Sequence, residues 1–247
     1  MVSKEISSLQ HPKIKDLVSL RRDKDIRTQR QEVVLIGKKM IEEISSKKPL
    51  KAIYSLAPQP HISAEERYSV TQPILEKITG LSTSDGLVAV AAMPAPGLPA
   101  KLNRLLILDQ LSDPGNLGTL LRTALALNWD AIAMTPGTVD PFNDKALRAS
   151  KGALFFLPFA HLSLPEIQEI CRKSHLTPFI ADLGGTNVEN VAWPSSSALV
   201  LSNEGSGPSS MVEKWGQKIE IPMHNGVESL NVAVSGAILL YLMGHKS

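Results

Sequence analysis

Cysteine is almost missing from this chain: Cys171 stands alone among 247 residues. An internal disulfide is therefore excluded, as is a metal cluster built on thiolates. The ordinary role of such a residue is that of a small buried hydrophobe. Aromatic residues are also scarce, at 4%, and none falls in a basic, ribonucleoprotein-like motif, so stacking platforms for bases are not encoded. No apolar run reaches the roughly 18 residues of a membrane span, the closest being Val232 to Met243. The first residues, Met-Val-Ser-Lys-Glu-Ile, lack an apolar leader core, which leads to the expectation of a cytoplasmic protein without membrane contact. A dinucleotide fingerprint is missing too. Asp113-Pro-Gly-Asn-Leu-Gly118 holds only Gly115 and Gly118, wrongly spaced for Gly-x-Gly-x-x-Gly, and this disfavours a nicotinamide-dependent oxidoreductase.

What is present is a globular composition, 43% hydrophobic and 20% charged, in a chain long enough for one large domain or two ordinary ones. The net charge of +2 conceals a division. Residues 1–51 hold thirteen Lys and Arg against seven Asp and Glu, a net of +6, while the rest carries thirteen against seventeen, a net of −4. Positive charge gathered at one end suits an arm or small domain that meets a polyanion, although Asp16 and Asp23 interleave the basic residues as they would on a solvated helix. Three prolines and a glycine in Met93-Pro-Ala-Pro-Gly-Leu-Pro-Ala100 deny regular structure there. The expected organisation is a domain over 1–95, a linker over 96–103 and a second domain over 104–247.

Both parts alternate strand and helix. In the first, Ile14, Leu17, Val18 and Leu20 have near-helical spacing, followed by strands at 32–37, 50–56 and 87–92 and helices at 38–46 and 73–79. In the second, strands are expected at 105–109, 131–134, 154–159, 177–181, 197–201 and 218–221. Helices are expected between and after them at 115–127, 141–149, 164–174, 208–215 and 229–242. These strands are short continuous apolar runs, as in a parallel sheet covered on both faces. The fold class is therefore α/β with an open, mostly parallel sheet.

Three stretches of the second part end strands in polar, glycine-containing loops, the place where open α/β sheets bind ligands. They are Asp113-Pro-Gly-Asn-Leu-Gly-Thr-Leu-Leu-Arg-Thr123, Leu199-Val-Leu-Ser-Asn-Glu-Gly205 and Ile221-Pro-Met-His-Asn-Gly-Val-Glu-Ser-Leu-Asn231. In this order and near this spacing they resemble the motifs of the SpoU/TrmH family of RNA 2′-O-ribose methyltransferases, in the SPOUT superfamily. Asn116, Gly118 and Arg122 match the first motif; Asn203, Glu204 and Gly205 the second; Ile221, Pro222, Ser229, Leu230 and Asn231 the third.

The resemblance implies a SPOUT-type parallel sheet with a C-terminal trefoil knot, which connection rules alone would never suggest. It also implies an N-terminal L30e-like domain that binds the RNA substrate, although Ile36 stands where many relatives carry a glutamate before the glycine. The cofactor it implies is S-adenosylmethionine, with no metal. A homodimer is implied, formed through the helices at 229–242 and 115–127. Ribosomal RNA is favoured over transfer RNA because of the extra N-terminal domain. A transfer-RNA methyltransferase and a non-catalytic RNA-binding or ribosome-assembly factor of the same fold remain as alternatives.

Carried over residue by residue, the cofactor pocket comprises Leu201, Ser202, Asn203, Gly205, Ile221, Met223, Ser229 and Leu230, and the catalytic group comprises Arg122, Asn116, Glu204, Ser229 and Asn231. Gly205 and Gly207 suit close backbone approach. Arg122 is a lone cation among Leu117, Leu120, Leu121, Ala124 and Leu127, so it either pairs with an acid such as Glu204 or faces a phosphate. The family also suggests Arg122 as the base for the hydroxyl. A guanidinium stays protonated, and binding phosphate while stabilising the developing alkoxide is the chemically easier role. His224 is read as an exposed loop residue.

Overall fold

In the computed structural model, which describes residues 3–203 and 207–245, the chain forms two compact units. The first contains the residues up to Pro94 together with Asp140–Phe155, and the second contains Ala95–Val139 and the chain from Phe156 on.

The first unit begins with β1 (Lys4–Ile6), α1 (Pro12–Arg22), α2 (Lys24–Arg30), β2 (Glu32–Ile36) and α3 (Lys38–Ser45), followed by β3 (Leu50–Ser55), β4 (Ala64–Val70), α4 (Gln72–Thr79) and β5 (Leu87–Ala92). In α1, Pro12 sits in the first turn, where its missing N–H has no consequence, and Ile14, Leu17 and Leu20 form the buried stripe. Asp23 separates the two first helices, and its carboxylate caps α2 by accepting from the N–H groups of Asp25 at 2.8 Å and Ile26 at 3.3 Å. The five strands run in the order β1-β4-β3-β5-β2, a mixed sheet in which β5 is antiparallel to both neighbours. Strand β4 had no counterpart in the sequence reading. Only Ala64, Tyr68 and Val70 of its Ala-Glu-Glu-Arg-Tyr-Ser-Val are buried, too few to mark an apolar run.

Residues 140–155, assigned from sequence to the second domain, pack in the first unit instead. The expected helix is there as α6 (Asp144–Ser150), capped by the Asn143 side chain on the Ala146 N–H at 2.9 Å. What sequence periodicity does not show is its anchoring. Arg27 is only 3% exposed. Its guanidinium donates to the carbonyls of Leu20 at 3.1 Å and Arg21 at 2.7 Å and pairs with Asp140. Arg21 bonds Asp144 at 3.1 Å, beside Arg148 at 2.7 Å. Removing one partner of a buried ion pair strands the other charge, at about 3 to 5 kcal/mol. Asp140→Ala should therefore lower the thermal midpoint clearly in a calorimetric scan; an unchanged midpoint would show that this pair does not anchor the segment.

In the second unit the elements are β6 (Arg104–Asp109), α5 (Pro114–Ala126), β7 (Ala131–Met134), β8 (Phe159–His161) and α7 (Leu164–Lys173). They continue with β9 (Thr177–Asn187), β10 (Ser197–Ser202), α8 (Ser210–Glu213), β11 (Gln217–Glu220) and α9 (Val232–His245). All six strands are parallel, in the order β11-β9-β10-β6-β7-β8. Leu105–Leu108, Ala131–Met134 and Ala198–Leu201 are buried without alternation, because helices cover both faces. The expected strand at 154–159 is a 3-10 turn at Ala153–Phe155 followed by the shorter β8, with Pro158 between them. The expected linker at 96–103 is folded onto this unit: Gly97 bridges Phe159 and Leu102 is buried. From β6 the chain proceeds outward through β7 and β8, then returns to lay β10 on the other side of β6. That reversal makes a switch point between β6 and β10, and ligands bind in the crevice it opens at the strands' carboxyl ends.

Candidate functional site

The loops leaving β6 and β10 meet at this crevice. Asp109, the last residue of β6, is buried and accepts a hydrogen bond from Thr135 Oγ1 at 2.8 Å. Gln110 follows with φ 56°, turning the chain toward Asp113, whose carboxylate caps α5 through the Asn116 N–H at 2.8 Å. One residue past β10, Asn203 donates from Nδ2 to the Gln110 carbonyl at 3.1 Å and to Ser112 Oγ at 3.2 Å. Asn231 Nδ2 donates to Asn116 Oδ1 at 3.1 Å, while its own Oδ1 accepts from the Ala233 N–H at 2.9 Å. Two asparagine side chains thus tie three loops together.

Asn231 also sets the start of the last helix. The sequence reading placed that start at Ser229; the structure places it at Val232, with Asn231 as the cap. An asparagine oxygen reaches the N–H two residues on, and that leaves Ser229 free to face a pocket.

The pocket has a cavity volume of about 200 Å³. Leu201, Ser202, Asn203, Gly207 and Pro208 line it from the end of β10 and the loop beyond; Ile219, Glu220, Ile221 and Met223 from the end of β11; Ser229, Leu230, Val232, Ser235 and Leu239 from α9 and its approach. Ala181, Asp182 and Leu183 form another wall, at an irregularity in β9. Ile180 pairs with Lys218 but Ile219 pairs with Thr186, so residues 181–185 bulge out of the ladder. Two bonds hold the bulge, and a third steadies the lysine that makes one of them. Lys218 Nζ bonds Asp182 Oδ2 at 2.7 Å and Glu213 Oε1 at 3.2 Å, and Glu220 Oε2 accepts from the Gly184 N–H at 2.8 Å. Asp182, and then Glu213, hold the Lys218 ammonium above its ordinary pKa.

The lining combines apolar walls with a few polar groups, as small-molecule sites do. Ser202 Oγ is buried without a hydrogen-bond partner among the described residues, which in a native fold marks a group waiting for a ligand or water. Apolar walls at Leu201, Ile221, Leu230 and Leu239, with the Ser202 hydroxyl and the carboxylates of Asp182 and Glu220 as polar groups, suit a ligand that joins a heterocycle to a positively charged centre.

The SpoU rRNA Methylase family matches residues 103–241, more than half of the chain and the whole of this site. The chain belongs to the SpoU rRNA methylase family. The 23S rRNA (guanosine(2553)-2′-O)-methyltransferase RlmP of Bacillus subtilis (strain 168) is 30% identical over 245 residues, which cover 96% of this chain and 98% of that protein. Among solved structures, the AdoMet-bound rRNA methyltransferase from Sinorhizobium meliloti has a TM-score of 0.86 at 24% identity, over 98% of this chain and 97% of its own, a likeness of fold. A structure described as an RNA 2′-O ribose methyltransferase has a TM-score of 0.81 at 25% identity, with 98% of each chain covered.

Within this SpoU family member, seven residues expected at the cofactor pocket line one cavity: Leu201, Ser202, Asn203, Ile221, Met223, Ser229 and Leu230. Gly205 and Glu204 lie outside the described residues. Asn116 and Asn231 are bonded to each other and stand beside the pocket without lining it. Arg122 stands apart from the pocket. It is exposed, does not line the pocket, and makes no ion pair among the described residues, because it projects from the face of α5 opposite the buried Leu117, Leu120, Leu121 and Ala124. No described acid pairs with it, and Glu204, the acid expected beside it, lies outside the described residues. His224 is exposed and away from the lining. Missed from sequence were the bulge residues Ala181, Asp182 and Leu183, and Glu220. The available signal was Gly184-Gly185 directly after an apolar strand, a composition that marks bulges and close backbone approach.

Proposed function

We propose that this chain is an S-adenosylmethionine-dependent methyltransferase acting on the 2′-hydroxyl of a ribose in ribosomal RNA. The observation that carries this reading is the pocket at the strand ends, where two of the motif loops converge and a Ser202 hydroxyl without a partner among the described residues awaits a polar ligand. When bound, the cofactor would supply an electrophilic methyl group for the ribose oxygen, with the hydroxyl proton passing to solvent water. Leu201, Ile221, Met223 and Leu230 enclose the cofactor, with Ser202, Asn203 and Ser229 as polar contacts and Gly205 admitting it close to the backbone. The joined Asn116 and Asn231 orient the ribose. Arg122, free of any acid among the described residues, takes the neighbouring phosphate from outside its own chain's pocket and stabilises the developing alkoxide. Glu204 orders that arginine.

The trefoil knot belongs to the same proposal. Its support is that β11 lies at one edge of the sheet, while α9, reached through 221–231, packs back on β10 and α5. A homodimer is supported by the apolar stripe of α9, where Val234, Ile238 and Tyr241 are 50%, 37% and 54% exposed at helical spacing. A cytoplasmic location follows from the substrate; among the described residues no helix is long and apolar enough to cross a membrane.

We assign RNA docking to the first unit, in an L30e-like role. Much of its positive charge is already engaged internally: Lys4 and Lys13 bond Glu66, whose carboxyl is held at about 2 by the Tyr68 hydroxyl and then by these two lysines. Arg30 is shared between Asp16 and Glu32. Lys47 and Lys48, between α3 and β3, and Lys51, near the start of β3, are exposed and make no ion pair among the described residues. Reversing all three to Glu should weaken RNA binding at least about tenfold at low salt and flatten the slope of log affinity against log salt by about two. Unchanged binding in a filter assay would place the docking surface elsewhere.

The cofactor reading is tested by calorimetric titration. S-adenosylhomocysteine should bind the protein one to one and NAD should not. Binding of NAD alone would overturn it.

A further inference from the structure

Among the described residues, the charged side chains that line the pocket are all of one sign. Asp182 and Glu220 line it, and no lysine, arginine or histidine does so among the described residues. Nearby, three carboxylates, Asp182, Glu213 and Glu220, stand against the single ammonium of Lys218. The two lining acids are not equivalent. Asp182 is neutralised by Lys218 at 2.7 Å and accepts the Leu183 N–H on its other oxygen at 2.9 Å. Glu220 has no cationic partner among the described residues. One of its oxygens takes the Gly184 N–H at 2.8 Å, and the other makes no hydrogen bond among them.

An uncompensated carboxylate beside apolar walls is an unfavourable arrangement unless a cation arrives with the ligand. Resting on the cofactor reading above, we propose that Glu220 is a specificity residue that makes the pocket prefer the sulfonium-bearing methyl donor to its neutral thioether product. Donor and product share the adenosine, the ammonium and the carboxylate of the amino-acid end. They differ by one methyl group and one positive charge, and only the charge is felt by a carboxylate. Discrimination of this kind favours loading of fresh donor and release of spent product in each turnover.

The test is calorimetric titration of the full-length protein and Glu220→Gln with three ligands: S-adenosylmethionine, S-adenosylhomocysteine, and sinefungin, which carries an ammonium in place of the sulfonium. Glutamine keeps an oxygen for the Gly184 N–H, so the bulge retains its tether while the charge is lost. Affinity for both cationic ligands should fall roughly three- to tenfold, the range for one unit charge acting across a partly solvated pocket, with S-adenosylhomocysteine changed less than twofold. A fall shared equally by all three ligands makes Glu220 a structural tether and overturns the proposal, as does no change in any. Wild-type protein that binds none of the three overturns the cofactor reading itself, a result distinct from wild-type binding with an indifferent Glu220→Gln.

Discussion

Arg122→Ala is expected to lose at least about a hundredfold in single-turnover methylation with saturating RNA, the scale for removing one electrostatic stabiliser of a developing oxyanion. The structure makes this substitution unusually easy to interpret. Arg122 is exposed and makes no ion pair among the described residues, so its removal strands no buried carboxylate there and opens no cavity. Thermal stability and S-adenosylhomocysteine affinity should both stay near wild type. Arg122→Lys should recover little, because an ammonium is a point charge and cannot reproduce the planar fork that grips a phosphate in two bonds. Near wild-type rates for Arg122→Ala would reduce the residue to part of a solvated helix face.

The second large effect is expected at Gly185. A Cβ there would stand 2.6 Å from the Ile219 nitrogen and 2.6 Å from the Lys218 carbonyl carbon. Both are backbone atoms of β11, so no rotamer change can relieve the clash, and the bulge must lift away from its neighbour. That bulge carries Ala181, Asp182 and Leu183 into the pocket wall. Overpacking of this kind costs about 1 to 3 kcal/mol, and Gly185→Ala should weaken S-adenosylhomocysteine binding by roughly tenfold or more. Gly184→Asn is the matched control. Gly184 has φ +72° with open space around a Cβ, and asparagine tolerates that backbone region. Its affinity should remain within about twofold. Normal binding by Gly185→Ala would detach the bulge from the cofactor site.

Legibility followed the range of the forces involved. Apolar runs such as Leu105–Leu108 and Leu199–Leu201 announced buried parallel strands because their signal is local, and the motif loops were visible because polar residues and glycine interrupt those runs at strand ends. The placement of 140–155 was hidden because its anchors, Arg27 to Asp140 and Arg21 to Asp144, join residues more than a hundred positions apart. The wall formed by Ala181 to Leu183 was hidden for a related reason. A strand pattern shows where β9 begins, but its bulge exists only in the register with β11. The setting of Arg122 was legible only in part. Its neighbours along the sequence are apolar, yet helical geometry turns position 122 away from Leu117, Leu120, Leu121 and Ala124.

The central claim is that the pocket transfers a methyl group to a ribose oxygen of ribosomal RNA, and it is tested most directly by mapping ribose methylation across the total RNA of cells with and without the gene. The account predicts that one 2′-O-methylated nucleotide of ribosomal RNA disappears on deletion, returns with the wild-type gene and does not return with Arg122→Ala. An unchanged ribosomal methylation map in the deletion strain would contradict it.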